Sequence, residues 1–208
     1  MLKTLVYLIT LASAAVAAPA LRDTVDAPEG FAFTNPTFVG DGCLDGTASF
    51  VFAEDKSSFS LVFTNFTLLL PYDSAPVQTY VERACNFSVG VSIPAGYSFT
   101  IPWYEYTHDE VLAINTYAVT EWRWKFLSTP QEEGSRYEQK KEGKDEVKAS
   151  YVFTDIIPVS PGSTTSPCGQ DVVFTLDILR YLYNDGNVVD ELSDNIFHAD
   201  ALLTYDTC

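Results

Sequence analysis

The chain has 208 residues, 47% of them hydrophobic and 14% aromatic, and is rich in Val, Phe, Tyr and Thr, a composition that suits the pleated, half-buried surface of strands. That length is enough for one domain with a real core. A formal charge of −16 repels nucleic acid and anionic membranes and argues against both as partners.

At the start, Lys3 precedes an apolar run from Leu5 to Val16 and the small residues Ala14 to Ala18, the pattern of a secretory signal peptide over residues 1–17. The run is short for a bilayer span, and no second apolar segment of that length follows, so a secreted, extracellular chain without a membrane anchor is expected. Removal of Lys3 with the signal leaves −17 on residues 18–208, which are expected to form a single domain. Residues 27–41, with prolines and glycines, read as a loop or arm. Thr47 to Phe52 and Phe59 to Leu70 read as a hairpin around the polar turn Glu54-Asp55-Lys56-Ser57, and a loop follows over 71–79.

The next stretch sets the architecture. Cys85, Phe87, Val89, Val91 and Ile93 fall on one face of a period-two ribbon, with Asn86, Ser88, Gly90 and Ser92 on the other. Pro94-Ala95-Gly96 supplies the fixed and the permissive φ of a tight reversal, after which Tyr97, Phe99 and Ile101 restart the alternation. A long alternation runs from Val111 to Phe126, with Ala118, Thr120, Trp122, Trp124 and Phe126 inward and Glu121, Arg123 and Lys125 outward. Residues 131–148 then hold five basic and six acidic residues without apolar periodicity, a solvated loop insertion or a charged helix. Strand character returns over Ala149 to Ile157, Val172 to Tyr183 and Ala199 to Tyr205, separated by Pro, Gly, Ser and Asn turn signals. Strands at this spacing with almost no helical period predict an all-β fold, an antiparallel β-sandwich, with a partly closed β-barrel as the alternative.

Cys43, Cys85, Cys168 and Cys208 are four cysteines in a chain bound for an oxidising compartment, which points to two disulfides. Four cysteines allow three connectivities; the simplest pairs neighbours, Cys43 with Cys85 and Cys168 with Cys208, each stabilising by roughly 4 kcal/mol in the chain-entropy account. No Cys-x-x-Cys or paired-His spacing supports a metal, and no cofactor motif is present. Asn86-Phe87-Ser88 and Asn65-Phe66-Thr67 are N-glycosylation acceptors by pattern, with Asn86 the first choice because it lies on the polar face. In an unbroken strand Asn65 would share the face of Phe59, Leu61 and Phe63, so that its use requires a bend or bulge near Thr64 or a change of inward face.

Gly42-Cys43, the strand Phe59 to Phe63, Cys85-Asn86-Phe87-Ser88-Val89 with Pro94-x-Gly96-Tyr97-x-Phe99, Ser166-Pro167-Cys168-Gly169 and the closing Thr204 to Cys208 together resemble the secreted fungal family called domain of unknown function 4360. The charged stretch 131–148 and the segment 184–197 depart from it. The resemblance implies an extracellular protein of a filamentous fungus with a four-cysteine framework, and no established activity.

Catalytic patterns are absent: the two histidines, His108 beside Asp109 and Glu110 and His198 beside Asp200, belong to no Gly-x-Ser-x-Gly or His-Glu-x-x-His context. Glu105, set among Trp103, Tyr104 and Tyr106, is the best single acid, and Asp185, Asn187, Asp190 and Asp194 lack the spacing of a calcium loop. As candidate ligand-binding residues Trp103, Tyr104 and Tyr106 stand out, with Trp122 and Trp124 as further aromatics, each weighed against a place in the core. The expectation is a noncatalytic binding module at a cell wall or host surface, with a polysaccharide or an extracellular protein as partner; the alternative is an extracellular polysaccharide hydrolase.

Overall fold

A computed structural model of the chain describes residues 26–70, 79–112, 116–127, 135–143, 149–158, 165–184 and 192–208, and none of these is helical. The stretch 1–17, expected to be a signal peptide, lies outside the described residues, as do Asp185, Asn187 and Asp190. In chain order the strands are β1 (Ala32–Val39), β2 (Ala48–Phe52), β3 (Ser58–Leu70), β4 (Tyr80–Ser92), β5 (Tyr97–Thr100), β6 (Trp103–Leu112), β7 (Thr116–Phe126), β8 (Ser135–Glu142), β9 (Ala149–Pro158), β10 (Val172–Asn184), β11 (Leu192–Leu202) and β12 (Thr204–Thr207). One sheet has the order β1-β4-β10-β7-β8, a second β2-β3-β11-β6-β9, and β12 and β5 pair by themselves. All pairings are antiparallel, and neither five-stranded sheet closes on itself, so the fold is an open β-sandwich.

Alternating side chains join the two sheets. Phe87, Val89 and Val91 of β4 and Phe174, Leu176 and Ile178 of β10 are buried on the inward face of the first sheet. Across the interior the Phe50 and Phe87 rings stack at 5.5 Å, Tyr106 lies 5.1 Å from Trp122 and Phe59 6.3 Å from Phe174. Such rings supply most of the area removed from water, and contacts between them add about 0.5–1.5 kcal/mol each.

Five expectations are corrected. The arm 27–41 contains β1, an edge strand whose alternation is interrupted at Asn35-Pro36: Asn35 has φ +51° and the register to β4 shifts between Thr34 and Thr37. An edge tolerates the proline because the missing N–H faces away from the ladder. The reversal at 94–96 forms, yet β5 does not fold back on β4, since β4 already has β1 on one side and β10 on the other; β5 takes β12 instead. The alternation from Val111 to Phe126 is two strands, β6 in the second sheet and β7 in the first. Residues 135–142 of the charged stretch are no loop or helix but the edge strand β8 on β7, and charged side chains are what an exposed edge favours. The last stretch is also two strands, broken where the Leu203 N–H leaves the ladder for Ser57 O at 2.7 Å.

The Asn65 conflict is settled by a bulge. Ile196 of β11 pairs with Phe66 and His198 with Val62, so three residues of β3 oppose one of β11. The Thr64 N–H and hydroxyl both donate to Thr47 O, at 2.8 and 3.2 Å, and the inward phase resets from Phe59, Leu61 and Phe63 to Phe66, Leu68 and Leu70. Thr64 and Asn65 are both exposed.

The disulfides join Cys43 to Cys85 and Cys168 to Cys208, with Cα separations of 5.4 and 6.0 Å. The turn that delivers Cys43 is fastened to β4 on both sides of Ala84, whose N–H donates to Asp41 Oδ1 at 2.8 Å and whose carbonyl accepts from the Gly42 N–H at 2.9 Å.

Candidate functional site

The aromatic residues singled out in the sequence separate by strand parity. Tyr104 and Tyr106, each 1% exposed, point from β6 into the sandwich against Trp122 and Trp124, themselves buried. Burial raises the Tyr104 phenol well above its ordinary pKa. A ligand on the surface cannot reach them, so as binding residues they are corrected to core. Trp103 alone of the three is partly exposed, at the start of β6 on the outer face of the second sheet.

Glu105 shares that outer face with Trp103, whereas Tyr104 and Tyr106, the other two rings expected around it, are on the inner side. Its cross-strand neighbour is Asp200, which accepts a hydrogen bond from the Ser60 hydroxyl and lies 3.3 Å from His198 Nε2. The aspartate therefore stands between serine and histidine, whereas a nucleophilic triad needs the histidine in the middle. His108 is fully buried and stacks on Tyr106 at 4.8 Å. Among the described residues no group of three or more His, Cys, Asp or Glu side chains is placed to hold a metal ion.

A different aromatic array lies on the outer face of the first sheet. Register places Tyr80 of β4 opposite Tyr183 of β10, and Tyr183 opposite Tyr117 of β7. Because all three point outward, their rings form a row across the sheet: Tyr80 to Tyr183 at 4.9 Å and Tyr183 to Tyr117 at 4.5 Å with planes 19° apart. Tyr181, two residues before Tyr183, adds a fourth ring 6.1 Å from Tyr80. The Tyr117 and Tyr183 rings face each other, whereas the Tyr80 ring is tilted 49° to that of Tyr183. Lys140 of β8 covers the free face of Tyr117, its Nζ 4.0 Å from the ring centroid and 2.8 Å from Glu142. At the other end Tyr80 is 40% exposed.

Carboxylates and an amide border the row. Glu82, exposed beside Tyr80 on β4, accepts a hydrogen bond from the Tyr80 hydroxyl and lies opposite Tyr181. Burial chiefly, then the hydrogen bond to Glu82 and its charge, holds Tyr80 above the usual tyrosine range; for Tyr181 burial is followed by the charge of Glu82, and for Tyr183 by Tyr117 and Glu82. All remain neutral donors across physiological pH. Further along the face, Glu121 is buried against Arg123, and Asn86 Nδ2 donates to Asp177 Oδ1. The assembly offers apolar ring edges, hydroxyl donors and carboxylate acceptors on a rigid sheet.

Sequence reasoning missed this row, although part of its signal is present. Tyr181 and Tyr183 extend the outward set Val173, Thr175, Asp177 and Leu179, and Tyr80 and Glu82 extend the outward set of β4. Which strands lie side by side is not written in any one of them.

A family model described as Domain of unknown function (DUF4360) matches residues 29–186. No curated protein matches the chain in sequence. Among solved structures the chain is similar to TmCBM61 in complex with beta-1,4-galactotriose, with 8% identity, 83% of this chain and 88% of that one covered, and a TM-score of 0.28. It is also similar to a family 11 carbohydrate-binding module from Clostridium thermocellum in complex with a beta-1,3-1,4-mixed-linked tetrasaccharide, with 10% identity, coverage of 86% and 92%, and a TM-score of 0.25. A third likeness, to the enzymatically active domain of bacteriophage CBA120 tailspike protein 4, has 10% identity and a TM-score of 0.24, covering 86% of this chain and 20% of that one. At these scores the likenesses carry no argument about a ligand.

Proposed function

The chain belongs to the Domain of unknown function (DUF4360) family, and we propose that it is a secreted, noncatalytic module that binds an extracellular glycan on the outer face of the β1-β4-β10-β7-β8 sheet. One observation carries this reading: Tyr80, Tyr117, Tyr181 and Tyr183 gather on the outer sheet face while Phe87, Trp122 and Phe174 of the same three strands lie in the core. Aromatic side chains left half in water on a rigid support present apolar edges to sugar C–H groups, and their neutral hydroxyls donate to sugar oxygens. Two disulfides support the extracellular setting. N-glycosylation belongs to the same proposal. A glycan at Asn65 leaves the tyrosine row open, whereas one at Asn86 stands on the same face as the row.

The test incubates protein secreted from a eukaryotic host with insoluble chitin, β-glucan, cellulose and mannan, and measures bound protein and released sugars in the same tubes. Retention on one polymer without sugar release is expected, and Tyr183→Ala should abolish it while leaving the melting temperature near that of the parent. Released sugars would overturn the reading in favour of a hydrolase, and retention nowhere in favour of a protein partner or a structural role. Endoglycosidase treatment of Asn65→Gln and Asn86→Gln variants reads out the sequons: loss of a glycan step is expected for Asn65→Gln, and no step lost in either variant would refute modification.

A further inference from the structure

Each end of the tyrosine row carries a ring and a carboxylate, and a protein cation is held at one of them. At the β8 end Tyr117 and the Glu142 carboxylate together hold an ammonium, that of Lys140, whose Nζ lies 4.0 Å over the ring and 2.8 Å from the carboxylate oxygen. At the β4 end Tyr80 and Glu82 provide a ring and a carboxylate again, joined by the Tyr80 hydroxyl bond to Glu82. Both are exposed, and among the described residues Glu82 makes no ion pair and no protein cation lies over Tyr80. The nearest cation in sequence, Arg83, points to the other face and donates to Asp41 O at 3.4 Å. The strand itself is accessible there, because β1 pairs with β4 only over Asn86 to Ser92.

We infer that Tyr80 and Glu82 receive an ammonium group of the ligand and that the glycan bound on this face is therefore an amine-bearing one, a polymer of hexosamine with free amino groups. The inference rests on the glycan reading above and names its substrate class. A cation over a tyrosine face is attracted by the ring quadrupole, and the adjoining carboxylate neutralises it. A neutral or N-acetylated sugar can lay C–H groups on the ring and donate to the carboxylate, but it brings no positive charge to either. The formal charge of −16 favours the same class of ligand at long range, through a faster and salt-sensitive encounter.

The test titrates the protein at acidic pH with fully deacetylated chitosan oligomers, with fully N-acetylated oligomers of the same length and with a linear neutral β-glucan. Deacetylated oligomers should bind roughly tenfold more tightly than acetylated ones, and Glu82→Gln and Tyr80→Ala should each remove about that factor. Glu54→Gln, which deletes the same charge from the exposed turn between β2 and β3, is the control and should leave the affinity unchanged. Equal weakening by Glu54→Gln and Glu82→Gln would reduce the effect to general attraction by an acidic protein and overturn the inference. Binding of the neutral or acetylated oligomers that depends on Tyr183 but not on Glu82 would overturn it while the glycan reading stands. Binding of none of the glycans would end both.

Discussion

Tyr205 ties the last strand to the first hairpin. Its buried ring packs edge-on against Phe31 at 4.9 Å, and its hydroxyl donates to Lys56 O, 2.6 Å away, in the turn between β2 and β3. Burial first, and Asp55 second, raises the phenol above its ordinary 10.0. A folded pKa above the unfolded one means that the stabilisation is complete below the unfolded value and is lost as the pH rises through the folded one. Tyr205→Phe is thus expected to lose about 1 kcal/mol at neutral pH and to show a shallower fall of stability on the alkaline side, measured by denaturant melts over pH. An alkaline limb as steep as that of the parent would refute it. Gly40 is a second residue whose identity is forced: with φ +144°, a Cβ there would stand 2.1 Å from Ala84 O. Gly40→Ala should destabilise by roughly 1–3 kcal/mol, and an unchanged denaturation midpoint would show that the turn gives way. Asn65 marks what is legible at this scale. Its sequon and its conflict with the strand face are plain in the sequence, whereas the bulge that resolves the conflict depends on Thr47 and β11, both remote in the chain.

At the scale of elements, the long strands buried on one face were legible, and of the four edge strands β2 and β9 were read whereas β1 and β8 were not. β3, β4, β7 and β10 alternate over long runs because one face of each must leave water. β1 has its alternation broken at Asn35-Pro36 and β8 has few apolar positions, proline and charge being what an edge tolerates. β12 is an element of another kind, four residues long and paired only with the equally short β5. A two-stranded ribbon of this length is marginal alone, so the Cys168–Cys208 bond and the bond from the Cys208 N–H to Gly96 O at 2.9 Å hold it in place. Replacing Cys168 and Cys208 together by serine is expected to lower stability by roughly 4 kcal/mol. It should also make the Thr204–Thr207 amides exchange fastest among the strands. Retained protection at those amides would show that Tyr205 and Leu203 suffice to dock the strand.

For the whole molecule, a net charge of −16 repels itself at low ionic strength. Raising salt from a few millimolar to about 0.15 M, where the screening length falls to about 8 Å, should raise the melting temperature by a few degrees. A flat or falling temperature would mean that pairs such as Lys140–Glu142 and Arg123–Glu121 outweigh the net repulsion. By itself the sequence determined the all-β class, the inward face of the long strands, the cysteine set and the absence of a catalytic motif, since period, composition and motif spacing are local properties. Tertiary structure alone decided which strands are neighbours, that Tyr104 and Tyr106 belong to the core, and that Tyr80, Tyr117, Tyr181 and Tyr183 converge on one face. The reason is physical: alternation fixes the side of a strand on which a residue lies, while pairing between strands more than 60 residues apart fixes what lies beside it.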